Sequence, residues 1–512
     1  MLPIFRTLLR QARVSALLLF FAGNVIAAPK NTQVKPSISS DAEARASMKK
    51  AADFMMNTVS NHGGFLWKYT ADLSEQFGEV PARPSQIWVQ DPGTVGVGEM
   101  FLDVYKTTGD LEYLEYAKRV ANALIWGQHP SGGWHYLIDF DMPDIRKYYD
   151  DVASKCWGWE EYYHYYGNCT FDDDVTSGAI RFLLNLYMTT LDPAYRQPLI
   201  KGLEFVLASQ YPNGGWPQRY PLSSEFPHEG LADYTSYYTF NDDVIQGNIR
   251  LLLEAWDNLG NEEYKKAAYR GMDFLIISQL PSPQAGWGQQ YDMNMKTAAA
   301  RSYEPASVMP GQTVSCIEDL EAYYTITGDR KYLRVIPDAI KWLESSVINT
   351  DPSKKYTHAT FYEPETNKPL YAHREGTSIE NGRYFIDYTF GELKHYGSTL
   401  TVNINAVKRE FERVTALTPE QAMAEYKAQK AAKKTVPAIQ PETARQLIDS
   451  LDARGAWVTD IRIPNYRDTI NGEVRITKGI ETAIFIRNMY TLRWYQKAPR
   501  IMQSIIREPQ KK

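Results

Sequence analysis

Two short acidic runs carry the clearest chemical signal in the chain: "FDDDV", with Asp172, Asp173 and Asp174, and "FNDDV", with Asn241, Asp242 and Asp243. Each stands where an amphipathic helical pattern begins, so one acidic side chain in each run has an ordinary task in accepting free backbone N–H groups at the helix start. One cap suffices for one helix. Adjacent carboxylates repel each other, so runs of two and three point to a hard cation such as Ca2+ held through oxygen ligands. Asp172, Asp173, Asp242 and Asp243 are the candidate metal ligands. Farther on, "AARSYEPASVMPGQTV" replaces the acidic run with Arg301, Tyr303 and Glu304, and "YEPETNKPLYAHREG" supplies Lys368, His373 and Arg374. Cations on the same rim as a divalent-metal cluster make a site for an anion.

The elements that must bring these residues together repeat along the chain. "VYKTTGDLEYLEYA", "LYMTTLDPAYRQPL", "AWDNLGNEEYKKAA" and "YYTITGDRKYLRVI" align on Tyr113, Tyr195, Tyr264 and Tyr332, at spacings of 82, 69 and 68 by subtraction. Such a period predicts a pair of helices with loops. In "DVIQGNIRLLLEAW", Ile245, Ile249, Leu252, Leu253 and Trp256 form one apolar stripe, and a "GD" or "LDP" link then reverses the chain. Gly-rich turns at Trp134, Trp216 and Trp287 close the units, with weaker copies expected at Trp67 and Trp457. A hairpin with one apolar stripe must stack on neighbours, and stacking around a ring predicts an all-α fold, an α/α toroid. Most of the 35 Tyr and 12 Trp are expected as packing, while some at an open rim could stack on sugar faces. Trp216 and Gln218 are expected in the substrate-binding set.

The 512 residues are 44% hydrophobic and 23% charged, enough for a large core. A formal net charge of -5 gives no reason to expect nucleic acid or an acidic membrane as partner. Residues 1–28 combine Arg6, Arg10 and Arg13 with the apolar run "VSALLLFFAGNVIAA", a pattern of secretory signal peptides that predicts a secreted or periplasmic protein. Three cysteines exclude a disulfide scaffold, although Cys156 and Cys169 could close a small loop. The expected organisation is a signal peptide at 1–28, a toroid over 29–406, an inserted charged, Ala-rich helical arm over 407–441, and C-terminal helices packing back over 442–512. A monomer is expected, with no membrane contact once the signal is removed.

The order of "QYPNGGWPQRYP", "YTFNDDV", "GWGQQYD", "ARSYEP" and "FYEPETNKPLYAHREG" between about Gly132 and Gly397 resembles the family 10 polysaccharide lyases, the pectate lyases of toroid fold. Asp173 stands where that family usually has Asn, and Gly288 where it usually has Cys. The resemblance implies calcium-assisted β-elimination in an acidic polysaccharide, polygalacturonate or pectin. It assigns calcium and substrate positioning to Asp172 and Asp242, with Asp173 and Asp243 as further candidates, proton abstraction to Arg301 and carboxylate binding to Arg374. Arginine is an unusual base because it stays protonated in nearly every setting, so Tyr303 and Lys368 remain open as bases as well as substrate contacts. The rival readings are a toroid glycoside hydrolase using two rim aspartates, a terpene-cyclase-like protein suggested by Gln210-x-x-x-Gly214-x-Trp216, and a glycan-binding relative without chemistry.

Overall fold

The computed structural model describes residues 41–141, 145–156, 162–223, 226–227, 230–375, 383–391, 393, 397–432, 441–464 and 474–493. The signal-like segment 1–28 lies outside them. The chain folds as an α/α toroid whose hairpins begin at the links read from the sequence. Asp110, Asp192, Asn261 and Asp329 each accept the backbone N–H two residues on and so start the second helix of a pair. The residue before each, Gly109, Leu191, Gly260 or Gly328, ends the first helix in the left-handed conformation.

In chain order the helices are α1 (Asp41–Phe54), α2 (Thr94–Thr108), α3 (Leu111–Trp126), α4 (Arg146–Asp151), α5 (Val175–Thr190), α6 (Pro193–Ser209) and α7 (Val244–Leu259). Then come α8 (Glu262–Ile277), α9 (Pro310–Thr327), α10 (Ile336–Ser345), α11 (Ile404–Thr415), α12 (Pro419–Ala431), α13 (Pro441–Asp449) and α14 (Thr482–Arg493). The pairs α2/α3, α5/α6 and α7/α8 pack as hairpins, and α2, α5 and α7 stand side by side. Helix α14 packs on both α1 and α2, while α13 packs on α1 and α14, which brings the end of the chain back to its beginning.

The Gly-Gly-Trp turn is the joint between units. Gly63, Gly132, Gly214 and Gly455 all have positive φ, from 94° to 115°. Each backbone sits against a carbonyl of the next unit's outer helix: Arg119, Lys201, Arg270 and, closing the ring, Lys50 of α1. The following aromatic fills the hairpin core. Trp134, Trp216, Trp287 and Trp457 donate their indole N–H to Leu124, Val206, Leu275 and Leu447 at 2.8–2.9 Å. The glutamine of the turn is a staple: Gln128, Gln210 and Gln279 each donate to their own turn and to the neighbouring unit at Pro198, Ala267 or Val335. The Gln-x-x-x-Gly-x-Trp pattern is therefore architectural here.

Three expectations change. Trp216 is fully buried in this role, which leaves no ring face for a sugar. Trp457 is a full copy of the turn, whereas at the first copy Phe65 rather than Trp67 takes the aromatic place, bonded through its backbone to Thr94 as Trp134 is to Thr176. The C-terminal segment is more than helices: Thr459–Pro464 and Val474–Glu481 form a hairpin in an antiparallel sheet with Lys68–Thr70 and Gln76–Phe77. Buried Ile461 and Ile463 alternate with exposed Arg462, the period of a half-buried strand. The charged segment after Val407 forms α11 and α12, which lie against α9 and α10, with the Tyr324 hydroxyl donating to Leu417 at 2.7 Å. Cys156, Cys169 and Cys316 are buried free thiols.

Replacing Gly214 by Ala places a Cβ 2.1 Å from the Arg270 carbonyl at a φ of 101°. We expect a loss of roughly 3 kcal/mol or more in urea unfolding. Gly260→Ala, also left-handed but with open space around it, should lose only about 1 kcal/mol.

Candidate active site

The acidic runs are not caps. Asp174 and Asp243 stand at the N-cap positions of α5 and α7, yet neither side chain accepts a helix N–H. Instead the backbone turns left-handed at two consecutive residues in each run, with φ of 50° and 58° at Asp173 and Asp174 and of 49° and 66° at Asp242 and Asp243. Non-glycine residues pay about 1 kcal/mol each for that conformation, and such strain gathers at functional sites. The runs are positioned by short strand pairings to the chain that follows each Trp turn: Phe171 N–H donates to Gln218 O at 2.9 Å and Phe240 N–H to Gln289 O at 2.7 Å. Val89 N–H makes the same bond to Tyr136 O at 2.7 Å. Gln90-Asp91 is thus a third copy of the motif, missed in the sequence because only one acid remains.

The three copies touch in a regular way. Gln90 Nε2 donates to Asp173 Oδ2 at 2.8 Å, and Asp172 and Asp242 both reach the same nitrogen of Arg301. The first residue of one motif therefore meets the second residue of the next. Into this row comes Arg301, 93% buried, from the loop before α9. Its Nη2 lies 3.2 Å from Asp172 Oδ2 and 3.4 Å from Asp242 Oδ2, and its Nη1 lies 3.2 Å from Glu304 Oε1. The hydroxyl of Tyr136 also donates to Asp172.

Negative charge is in excess around this one guanidinium. Burial, then Asp172 and Asp173, push the Asp242 carboxyl well above its ordinary value. Burial, then Asp172, Glu79 and Asp174, do the same to Asp173. Glu79, which the sequence reading missed for want of any motif around it, is raised by burial while accepting hydrogen bonds from Tyr162 and Gln90. Among the described residues no three Asp, Glu, His or Cys side chains already form a metal cage. Two oxygens nevertheless stand ready: Asp172 Oδ1 is buried with no partner, and so is Gln218 Oε1, on the residue whose carbonyl holds Phe171.

The structure therefore gathers Asp172, Asp173, Asp242 and Arg301, and the Gln218 backbone holds the residue before Asp172. Asp243 is corrected: it is committed to an ion pair with Arg250, in a second charged group that includes Asp174, held by Ser177 at 2.8 Å, and Arg181, paired with Glu254 at 3.1 Å. Tyr303 is buried, its ring packed with Ala372 and Tyr384. Arg374 lies 5.2 Å over the Tyr384 ring and so joins the Arg301 loop through that cluster. Lys368 precedes the strand Pro369–Glu375 and sits over Tyr388 at 5.2 Å. It lies six positions before Arg374, roughly 20 Å along the strand.

Residues 160–389 match the family model described as pectic acid lyase. Among solved structures, the family 10 polysaccharide lyase from Cellvibrio cellulosa is 17% identical with a TM-score of 0.38, covering 65% of this chain and 95% of its own. A mutant of that lyase in complex with trigalacturonic acid is 18% identical with a TM-score of 0.37, covering 66% and 99%. An unsaturated glucuronyl hydrolase specific for heparin is 13% identical with a TM-score of 0.37, covering 89% and 97%. No curated protein matches the sequence.

The second charged group carries a pH signature. Burial pushes Glu99, which accepts from Asn185 and neighbours Asp103, up to about 6. A carboxyl raised in the fold stabilises it only while protonated, so its contribution is present below the ordinary value and is lost as pH rises through about 6. Glu99→Gln should raise the melting temperature at pH 7.5, and the gain should vanish near pH 4, measured by thermal unfolding across that range.

Proposed function

We propose, from the match of residues 160–389 to the pectic acid lyase family model, that the protein cleaves polygalacturonate by calcium-assisted β-elimination. The observation that carries this reading is the meeting of Arg301 with Asp172 and Asp242, side chains 129 and 59 residues away in sequence, at 3.2 and 3.4 Å. In β-elimination a base takes the proton from C5 of a uronate, electrons shift into a C4–C5 double bond, and the glycosidic oxygen leaves from C4. The C5 proton is weakly acidic because the adjoining carboxylate is already negative. Catalysis must therefore stabilise the second negative charge that develops there.

Asp172 and Asp242, with Gln218, are the residues that would hold calcium. Their chemistry fits: buried oxygen donors, an orphaned Asp172 Oδ1 and Gln218 Oε1, and carboxylates whose mutual repulsion a cation relieves. Bound there, calcium would act as a Lewis acid on the substrate carboxylate. Asp173, fixed by Gln90, adds a further carboxyl to the same group. Arg301 is the proposed base. Asp172, Asp242 and Glu304 stabilise its positive charge, so proton abstraction requires Asp172 and Asp242 to be engaged elsewhere while Glu304 keeps the guanidinium oriented. Arg374, reaching the same loop by way of Tyr384, is the proposed partner of a substrate carboxylate. Export directed by residues 1–28 and a monomeric state complete the proposal.

Incubation with polygalacturonate should give ultraviolet absorbance from the unsaturated product, and a calcium chelator should stop it. Reducing sugar released without absorbance would point to hydrolysis and sink the lyase reading. Arg301→Ala should lower kcat by about 1000-fold or more while KM changes by only a few-fold; a normal kcat removes Arg301 from the chemistry.

A further inference from the structure

Arg219 follows Gln218 in the "GGWPQRY" turn and is 1% exposed. Its guanidinium lies 5.6 Å from the ring centre of Tyr136 and 4.9 Å from that of Tyr166. Its Nε and Nη1 have no hydrogen-bond acceptor. Among the described residues no carboxylate lies within ion-pair reach of it. A buried cation without an acceptor costs several kcal/mol, and two cation–π contacts return only about 1–2 kcal/mol each. Among the described residues nothing supplies that acceptor, and a ligand could. A guanidinium fork with free N–H groups is matched best by a planar carboxylate.

The location says whose carboxylate. Tyr136 joins the two places directly, since its ring lies under Arg219 while its hydroxyl donates to Asp172. Strand pairing fixes the same proximity, because Thr170, two residues before Asp172, is the register partner of Arg219. Tyr136 is fully buried, whereas Tyr166 is partly exposed, so Tyr166 is the ring whose movement opens the guanidinium to a ligand. We propose that Arg219 is the carboxylate anchor of a uronate subsite adjoining the Asp172–Asp242 centre, with Tyr166 as its stacking face. This rests on the polyuronate reading above. It adds a residue that selects for free acid over methyl ester one side chain away from the reacting sugar.

The test uses binding, separate from turnover. In the Arg301→Ala protein, trigalacturonate affinity and its preference over the fully methyl-esterified trimer are measured by titration calorimetry, with Arg219→Gln and Tyr166→Ala added singly. Arg219→Gln should weaken binding of the acid at least 10-fold and erase most of the preference for acid over ester. Arg219→Lys should recover part of both. Tyr166→Ala, at a partly exposed position, should weaken acid and ester alike with an unchanged melting temperature, which keeps the subsite testable if Arg219→Gln fails to fold. Unchanged affinity and unchanged ester discrimination in folded Arg219→Gln, or unchanged binding in Tyr166→Ala, overturns the subsite. Wild-type protein that binds trigalacturonate through Arg219 but forms no unsaturated product overturns the lyase reading and leaves the subsite standing. Absence of any trigalacturonate binding overturns both.

Discussion

Like charges forced together under low exposure are the constraint around which the functional end of this protein is organised. Asp172, Asp242 and Glu304 converge on one arginine, and the charges of Asp173 and Glu79 act on the same group. In water such a group would disperse; under burial each carboxylate raises the cost of ionising the next. The folded ring tolerates the repulsion because the residues are attached to stiff elements whose stability comes from elsewhere, chiefly the Trp-filled hairpins and their stapled turns. Charge held at that cost is charge available to a cation and an anionic substrate.

The repeat explains how the cost is contained. Two neighbouring units present the same strand-to-helix corner with two left-handed residues, at Asp173–Asp174 and Asp242–Asp243, and the Gln90–Asp91 corner repeats its strand pairing without them. Gln90, Asp172 and Asn241 are equivalent positions with different chemistry, as are Asp91, Asp173 and Asp242. A single hairpin could carry one such acid as a cap; only adjacent hairpins can aim several at one point. The third aspartates, Asp174 and Asp243, go instead into ion pairs and hydrogen bonds with α5 and α7 residues, which ties the strained corners to the helices that follow them.

The architecture and the chemistry use the same short motifs for separate ends. In "QYPNGGWPQRYP", Gln210, Gly214 and Trp216 join units, whereas Gln218 and Arg219 leave polar atoms buried and unpaired beside Asp172. One turn thus serves as joint and as support for the acidic run. That economy is also why the motif misleads: its aromatic looks like a sugar platform and is a core residue.

Local pattern was enough to reveal the helical pairs, the ring they imply, the acidic corners and the arginine between Ala300 and Tyr303, because helix periodicity, capping links and left-handed turns are properties of a few neighbouring residues. The likeness in motif order to pectate lyases was equally legible. What the sequence did not contain was which acids face one another. Glu79 and Gln90 joined the centre, Asp243 left it, and Lys368 fell far along a strand, since these outcomes depend on packing between units far apart in the chain. The terminal hairpin beside Lys68–Thr70 and the exchange of Phe65 for Trp67 were decided there too. Periodicity determines what each piece is, and only long-range packing determines which side chains end up within reach of each other.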